Sequence, residues 1–144
     1  MLSVACKASI KAVIYLGSRL GDKNRPDILT IAHSIQENEH TVAKILQQLV
    51  KAKIINSQKG PHGGFFISED QLKQPLINIV RAIDGEDVFV KCGLGFTHCS
   101  DSEPCPFHKH YKKVRDYFRE MSESNSIKSF CDDLALGNAF LSKS

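Results

Sequence analysis

Apolar residues in the first fifty positions recur at three- and four-residue intervals and mark three helices in succession. Between about Ser3 and Leu20 they are Ile10, Val13, Ile14 and Leu16 with Gly17, and Gly21-Asp22 ends the run. Asn24-Arg25-Pro26-Asp27 is turn chemistry, with Asp27 placed to N-cap a short helix whose inner side is Ile28, Ile31, Ala32 and Ile35. Gln36-Glu37-Asn38 breaks the pattern, and Asn38 is placed to cap the next helix. That third helix is the most regular, with Val42, Ile45, Leu46, Leu49 and Val50 on one face and His40, Lys44, Gln47 and Lys51 on the other. The pattern then shortens. Ile54–Gln58 and Phe65–Ser68 read as strands flanking Lys59-Gly60-Pro61-His62-Gly63-Gly64, a hairpin with a glycine-rich tip.

The second half is less regular. Ser68-Glu69-Asp70-Gln71 reads as a polar connector, and Pro75 opens a helix through Leu76, Ile79, Val80 and Ile83 that Asp84-Gly85 ends. Val88-Phe89-Val90 leads into residues 92–108, which show no period at all. Phe107, Tyr111, Val114, Phe118 and Met121 then form a heptad-like seam, with Lys112, Lys113, Arg115, Asp116 and Glu120 off it. Such a stripe must be covered, either by its own domain or by a twin helix. Ile127, Phe130, Leu134 and Leu136 suggest a short closing helix. The fold class expected is mainly α with a small β-hairpin.

Composition narrows the class. At 144 residues, 42% apolar and 24% charged, the chain suits one globular domain with a helical extension. No apolar run approaches the ~20 residues of a membrane span, and no signal peptide is evident, so a reducing cytoplasm is expected. The net charge of +3 is uneven: residues 1–64 carry +5 and residues 65–144 carry −2. A basic front favours a polyanionic partner. Two short helices and a tight turn, followed by a hairpin, form a winged helix-turn-helix candidate. Lysine can pair phosphates or guanine edges and glutamine can pair adenine edges, so His40, Thr41, Lys44, Gln47 and Lys51 are the candidate DNA-reading residues. Lys59 is placed for a phosphate or a narrow minor groove, and His62 for a further phosphate contact. The bland alternative is a solvated helix face. A nucleotide-binding loop is excluded, because no G-K-[ST] follows the glycines.

The aperiodic stretch carries the chemistry. Cys92, Cys99, Cys105 and His108 are spaced C-x6-C-x5-C-x2-H. Thiolates are soft donors that suit zinc, Cu(I) or iron–sulfur clusters, and an imidazole can complete a set of four. Five cysteines, three of them clustered, favour ligation over a disulfide framework in a reducing compartment. Cys6 and Cys131 lie on helices and read as small core residues. There is no C-x-x-C pair and no nucleophile with a base at recognisable spacing, so an enzyme is not expected. A zinc-stabilised adaptor that binds no DNA is a further alternative.

Lys59-Gly60-Pro61-His62-Gly63-Gly64-Phe65 resembles the R-G-x-x-G-G-Y wing of the Rrf2-type winged helix-turn-helix transcription regulators. Ile31-Ala32 and Val42–Leu49 look like their second and third helices, and Ile79–Gly85 like the helix leading to their cluster loop. The resemblance covers nearly the whole chain. It implies a homodimer on a pseudo-palindromic double-stranded operator, sensing cluster status, nitric oxide, iron or redox state. It also implies a [2Fe–2S] cluster on Cys92, Cys99 and Cys105 with His108 as fourth ligand, [4Fe–4S] being the second choice and zinc remaining possible. His98, His110 or a partner-subunit group stand in reserve. The implied division is a DNA-binding domain over 1–85, a cluster loop over 86–108, and a dimerisation helix with its tail over 109–144. The same fold without a cluster, sensing a small molecule or a thiol state, is the alternative. Three departures stand out: Lys59 for the usual arginine, Glu37 at a turn position that is commonly apolar, and a first cysteine gap of six where five is frequent.

Overall fold

A computed structural model describes residues 1–142, so the last two residues of the expected tail, 143–144, lie outside the described residues. Helix α1 spans Val4–Ser18, with the Ser3 side chain accepting from the Cys6 amide. It stops two residues before the expected Leu20, and Leu20 is exposed. Helices α2 (Ile28–Ile35) and α3 (Glu39–Lys51) begin at the caps their sequences mark. The Asp27 carboxylate accepts from the Thr30 amide, and the Asn38 side chain accepts from the His40 and Thr41 amides. The turn between them is held from outside. Lys11 Nζ donates to the Ile35 carbonyl at 3.0 Å and to Glu37 at 2.5 Å, which accounts for the charge at that turn position.

The core closes where α1, α2 and α3 meet. Val13, Leu16, Ile31, Ile35, Val42, Ile45, Leu46 and Leu49 pack into one cluster, and each buried aliphatic side chain contributes about 1.5–3 kcal/mol. Ile54 and Ile55 join that cluster rather than a strand. Lys53 takes a left-handed conformation (φ 61°) and the Ile54 amide returns to the Leu49 carbonyl, turning both side chains inward. The antiparallel strands are therefore shorter than expected: β1 is Asn56–Gln58 and β2 is Gly64–Phe66, with Ser57 opposite Phe65. Gly64 (φ +152°) lies so close to the loop before α2 that a Cβ would meet the Arg25 carbonyl at 2.5 Å. The neighbouring Phe65 amide donates to the Pro26 carbonyl at 3.0 Å, so the hairpin is fixed to that loop.

The expected connector contains a helical turn, α4 (Glu69–Leu72). The Ser68 hydroxyl caps the Gln71 amide and the Gln71 side chain caps the Ser68 amide. Helix α5 (Ile77–Asp84) starts two residues after Pro75, and a one-turn α6 (Asp87–Val90) occupies the lead-in to the cysteines. Helices α7 (His108–Ser124) and α8 (Ile127–Ala135) complete the chain. Helix α8 packs on α1, with Cys131 over Gly17. The Leu76 and Ile127 amides bond the Asn125 and Gln74 carbonyls, pinning the α7–α8 turn to the start of α5. A second core of Cys6, Ile77, Val80 and Phe89 joins α1, α5 and α6.

The expected α7 seam divides. Tyr111, Phe118 and Met121 are half-buried, while Phe107 and Val114 are exposed together with Tyr117. Arg115, read as off the seam, is buried at 6% exposure, because its guanidinium finds hydrogen-bond acceptors inside.

Candidate nucleic-acid interface and metal centre

Burial of the Val42–Leu49 stripe turns the opposite face of α3 outward, and His40, Lys44, Gln47, Gln48 and Lys51 are exposed there. Thr41 is half-buried at the helix start. Gln47, Lys51 and Lys59 line one groove of about 440 Å³ between α3 and the hairpin. A cationic helix face and a cationic wing shoulder thus share one concavity. His62 lies on the other flank, in a cavity with Arg19, Lys23 and Arg25. Arg25 and Gln48 escaped the sequence reading. Gln48 follows Lys44 at i+4, a signal that was legible. Arg25 sits in a turn where periodicity says nothing, yet its guanidinium lies 3.6 Å from the Phe66 ring centroid and bonds the Gln58 side chain.

Cys92, Cys99, Cys105 and His108 line a single cavity of about 200 Å³ at the start of α7. Gly93 lets the loop lie flat here, since a Cβ would strike the Tyr111 and Phe107 rings at 2.8 Å. The donors stand in two pairs. Cys92 Sγ is 3.7 Å from Cys105 Sγ, and Cys99 Sγ is 3.2 Å from His108 Nδ1. All five cysteines are free thiols. Two thiolates held at ~2.3 Å on one tetrahedral centre lie roughly 3.8 Å apart, so the first pair already has a metal-bound spacing. Among the described residues, no three His, Cys, Asp or Glu donors converge to hold a single ion. The four donors thus stand as two pairs with a soft sulfur in each, a set whose chemistry suits an iron–sulfur group as well as zinc. His98 lines the same cavity, and His110 is not among its lining residues.

The surroundings orient these donors. His108 Nε2 donates to Asp101 Oδ1 at 2.8 Å, which leaves Nδ1 to face Cys99. Lys112 joins the same carboxylate at 3.1 Å. The His108 bond first, then Lys112, holds the Asp101 carboxyl below its usual range. The amides of Leu94 and then Phe96 likewise hold the Cys92 thiol below its ordinary value. Arg115 Nη1 donates to Cys99 Sγ at 3.3 Å and to the Lys91 and Val90 carbonyls at 2.8 and 3.1 Å. Asp101 and Arg115 also escaped the sequence reading, since neither belongs to a recognisable ligand spacing. Cys6 and Cys131 differ. Burial first, with nearby Asp84 and Asp132 second, pushes them up to about 12 and about 11.

Comparison with known proteins agrees with this architecture. The sequence model of the Rrf2 family, described as "Iron-dependent Transcriptional regulator", matches residues 2–133. A protein of Aquifex aeolicus (strain VF5), named as an HTH-type transcriptional regulator, is 25% identical over 89 residues. That match takes in 60% of this chain and 62% of the relative's length. Among solved structures, the global cysteine regulator CymR of B. subtilis superposes with a TM-score of 0.72 at 17% identity, covering 92% of this chain and 96% of that one. IscR of T. potens superposes with a TM-score of 0.71 at 16% identity, covering 100% and 93%. At these identities the two structures establish the winged helix-turn-helix fold. Since the family match runs almost from end to end, the chain belongs to the Rrf2 family of transcriptional regulators, which are not enzymes.

Proposed function

We propose that the chain is a homodimeric DNA-binding regulator whose operator affinity depends on a [2Fe–2S] cluster held by Cys92, Cys99, Cys105 and His108. The carrying observation is that these four donors line one cavity as two pairs, the first at metal-bound spacing. When bound, the cluster supplies iron- and redox-dependent cross-links between the pairs. The protein does the rest. Asp101 orients His108, and Phe89 packs α6 into the core shared by α1 and α5. Those helices pack on α3, so the order of residues 86–108 biases both α3 and α7.

In this reading residues 1–85 grip DNA, 86–108 hold the cluster and 109–144 carry the dimer contact. The exposed Phe107, Val114 and Tyr117 give α7 an apolar outer face for a second copy. A two-fold dimer matches a pseudo-palindromic operator with half-sites about 34 Å apart, so a small rotation between subunits changes fit on both. His40, Thr41, Lys44, Gln47 and Lys51 enter the major groove, while Lys59 and His62 meet the backbone. No helix among the described residues is long and apolar enough to cross a membrane. A role on DNA places the chain in the cytoplasm in this reading.

Anaerobic purification followed by iron, sulfide and zinc analysis and a visible spectrum tests the cofactor. Iron with sulfide and a brown chromophore supports the cluster; colourless protein with zinc contradicts it. A second reading, thiol sensing without a cluster, is favoured by the lowered Cys92 thiol. It requires DNA affinity to follow peroxide treatment in iron-free protein. For the interface, Lys59→Ala should weaken binding to every duplex and reduce the slope of log affinity against log salt by roughly two per dimer. Lys44→Ala should also relax base preference. An unchanged affinity for the Lys59 variant contradicts the wing assignment.

A further inference from the structure

Arg115 sits midway along α7, whose Lys109 and Lys113 are exposed, yet it is only 6% exposed itself. Burying a guanidinium costs several kcal/mol unless hydrogen bonds replace its water. Arg115 Nη1 has two protons for three acceptors: the Lys91 carbonyl, the Val90 carbonyl and Cys99 Sγ. Its Nε is buried with no partner among the described residues. A methionine would fill this volume without that cost. What arginine adds is a positive charge between the end of α6 and a sulfur.

We infer that Arg115 is a positioning residue that clamps Cys99 to the last turn of α6, so that one side chain sets both the place of that sulfur and the packing of α6 on α7. The inference rests on the cluster reading above and goes beyond its ligand set. A thiolate accepts from a guanidinium more strongly than a neutral sulfur does. Helix α6 is tied into the molecule elsewhere as well. Its Phe89 stacks on Phe118 with ring centroids 5.7 Å apart, and the Arg119 guanidinium lies 5.0 Å from the same ring. Phe89 also belongs to the core with Cys6, Ile77 and Val80, so α1 and α5 share any displacement of α6. Two arginines one helical turn apart thus tie α7 to α6, and only Arg115 also reaches a proposed ligand.

Two variants and two readouts test the clamp. Arg115→Met keeps the apolar stem, and Arg115→Lys keeps the charge without the planar fork. In iron-free protein, Arg115→Met should speed hydrogen exchange at the Phe89 and Lys91 amides about tenfold, with α3 amides unchanged. In reconstituted protein, one-electron reduction by dithionite should occur at a lower midpoint potential, because a positive donor that favours the added electron has gone. Arg115→Lys should recover part of both. Should Arg115→Met fail to fold, Arg115→Lys carries both measurements, with smaller shifts of the same sign. Unchanged α6 exchange overturns the inference, as does faster exchange spread equally to α3. An unchanged potential overturns it too, since Arg115 would then only fill space. If the wild-type protein takes up no iron and sulfide, the cluster reading fails instead, and exchange at α6 alone judges the clamp.

Discussion

Two groups of cysteines in one chain show how differently its two regions are built. Cys6 on α1 and Cys131 on α8 are fully or almost fully out of water, and burial raises both thiols well above their ordinary value. Cys92, Cys99 and Cys105 lie half-exposed in a segment without regular structure, where backbone amides lower Cys92 and a guanidinium reaches Cys99. The first pair behaves as small apolar residues in a close-packed core. The triplet sits among polar donors, the surroundings in which thiolates form and bind metals. Around 4–66 the chain is ordered by aliphatic burial, and around 92–108 by hydrogen bonds that converge on sulfur. The proposed function places the switch in the second kind of order.

Exchanging the roles of the two groups gives the largest effects. Cys99→Ser should abolish iron and sulfide retention, whereas Cys6→Ala and Cys131→Ala should keep both; metal analysis of the three variants decides. Iron retained by Cys99→Ser would break the distinction. An alkylating probe applied to folded, iron-free protein should label Cys92 first and leave Cys6 and Cys131 unmodified, as read by mass spectrometry of the digest.

The packed side of the comparison predicts a smaller effect. A Cβ at Gly17 would collide with Cys131 Sγ and meet Leu72 Cδ2 at 2.9 Å. Gly17→Ala should therefore cost about 2 kcal/mol in denaturant unfolding. Cys131→Ala in the same chain should return part of that, because the closest atom is removed. An additive pair would show that the two residues do not share the site.

The smallest expected effect lies at the start of α2. The Asp27 carboxyl accepts from the Thr30 amide, which lowers its pKa below the ordinary value. A lowered carboxyl contributes stability that is present above the unfolded value of about 3.9 and lost as pH falls through the lower folded value. Asp27→Ala should cost about 1 kcal/mol at neutral pH. Asp27→Asn should keep most of the cap and flatten stability below pH 4, measured by thermal unfolding across that range.

The legible parts of the molecule are those with a period. Val42 to Leu49 dictate α3, and Asp27 and Asn38 mark the helix starts, because each signal is local. The Ser68–Gln71 capping box was written in the sequence too, but four residues are too few to show a helical period. The site was legible as donors and not as geometry. His108 finds Asp101 seven residues back in an aperiodic loop, and Lys11 finds Glu37 across a helix and a turn. Arg115 was read as off the seam because spacing places it there, and the acceptors that bury it come from residues 90, 91 and 99. The α7 stripe was read as one face because spacing alone does not say which neighbours the fold will supply. Tyr111 and Phe118 turn inward, while Phe107 and Val114 remain outside.

The central claim is that the bonding state of residues 92–108 sets the grip on DNA. Its most direct test is anisotropy titration of a duplex enriched from a random pool. Iron-loaded protein is titrated first, then the same sample after anaerobic chelation of its iron. The account predicts dissociation constants at least about fivefold apart, and a Cys99→Ser variant that matches the chelated sample in both conditions. Identical constants before and after chelation, in protein shown to have carried iron and sulfide, would contradict it.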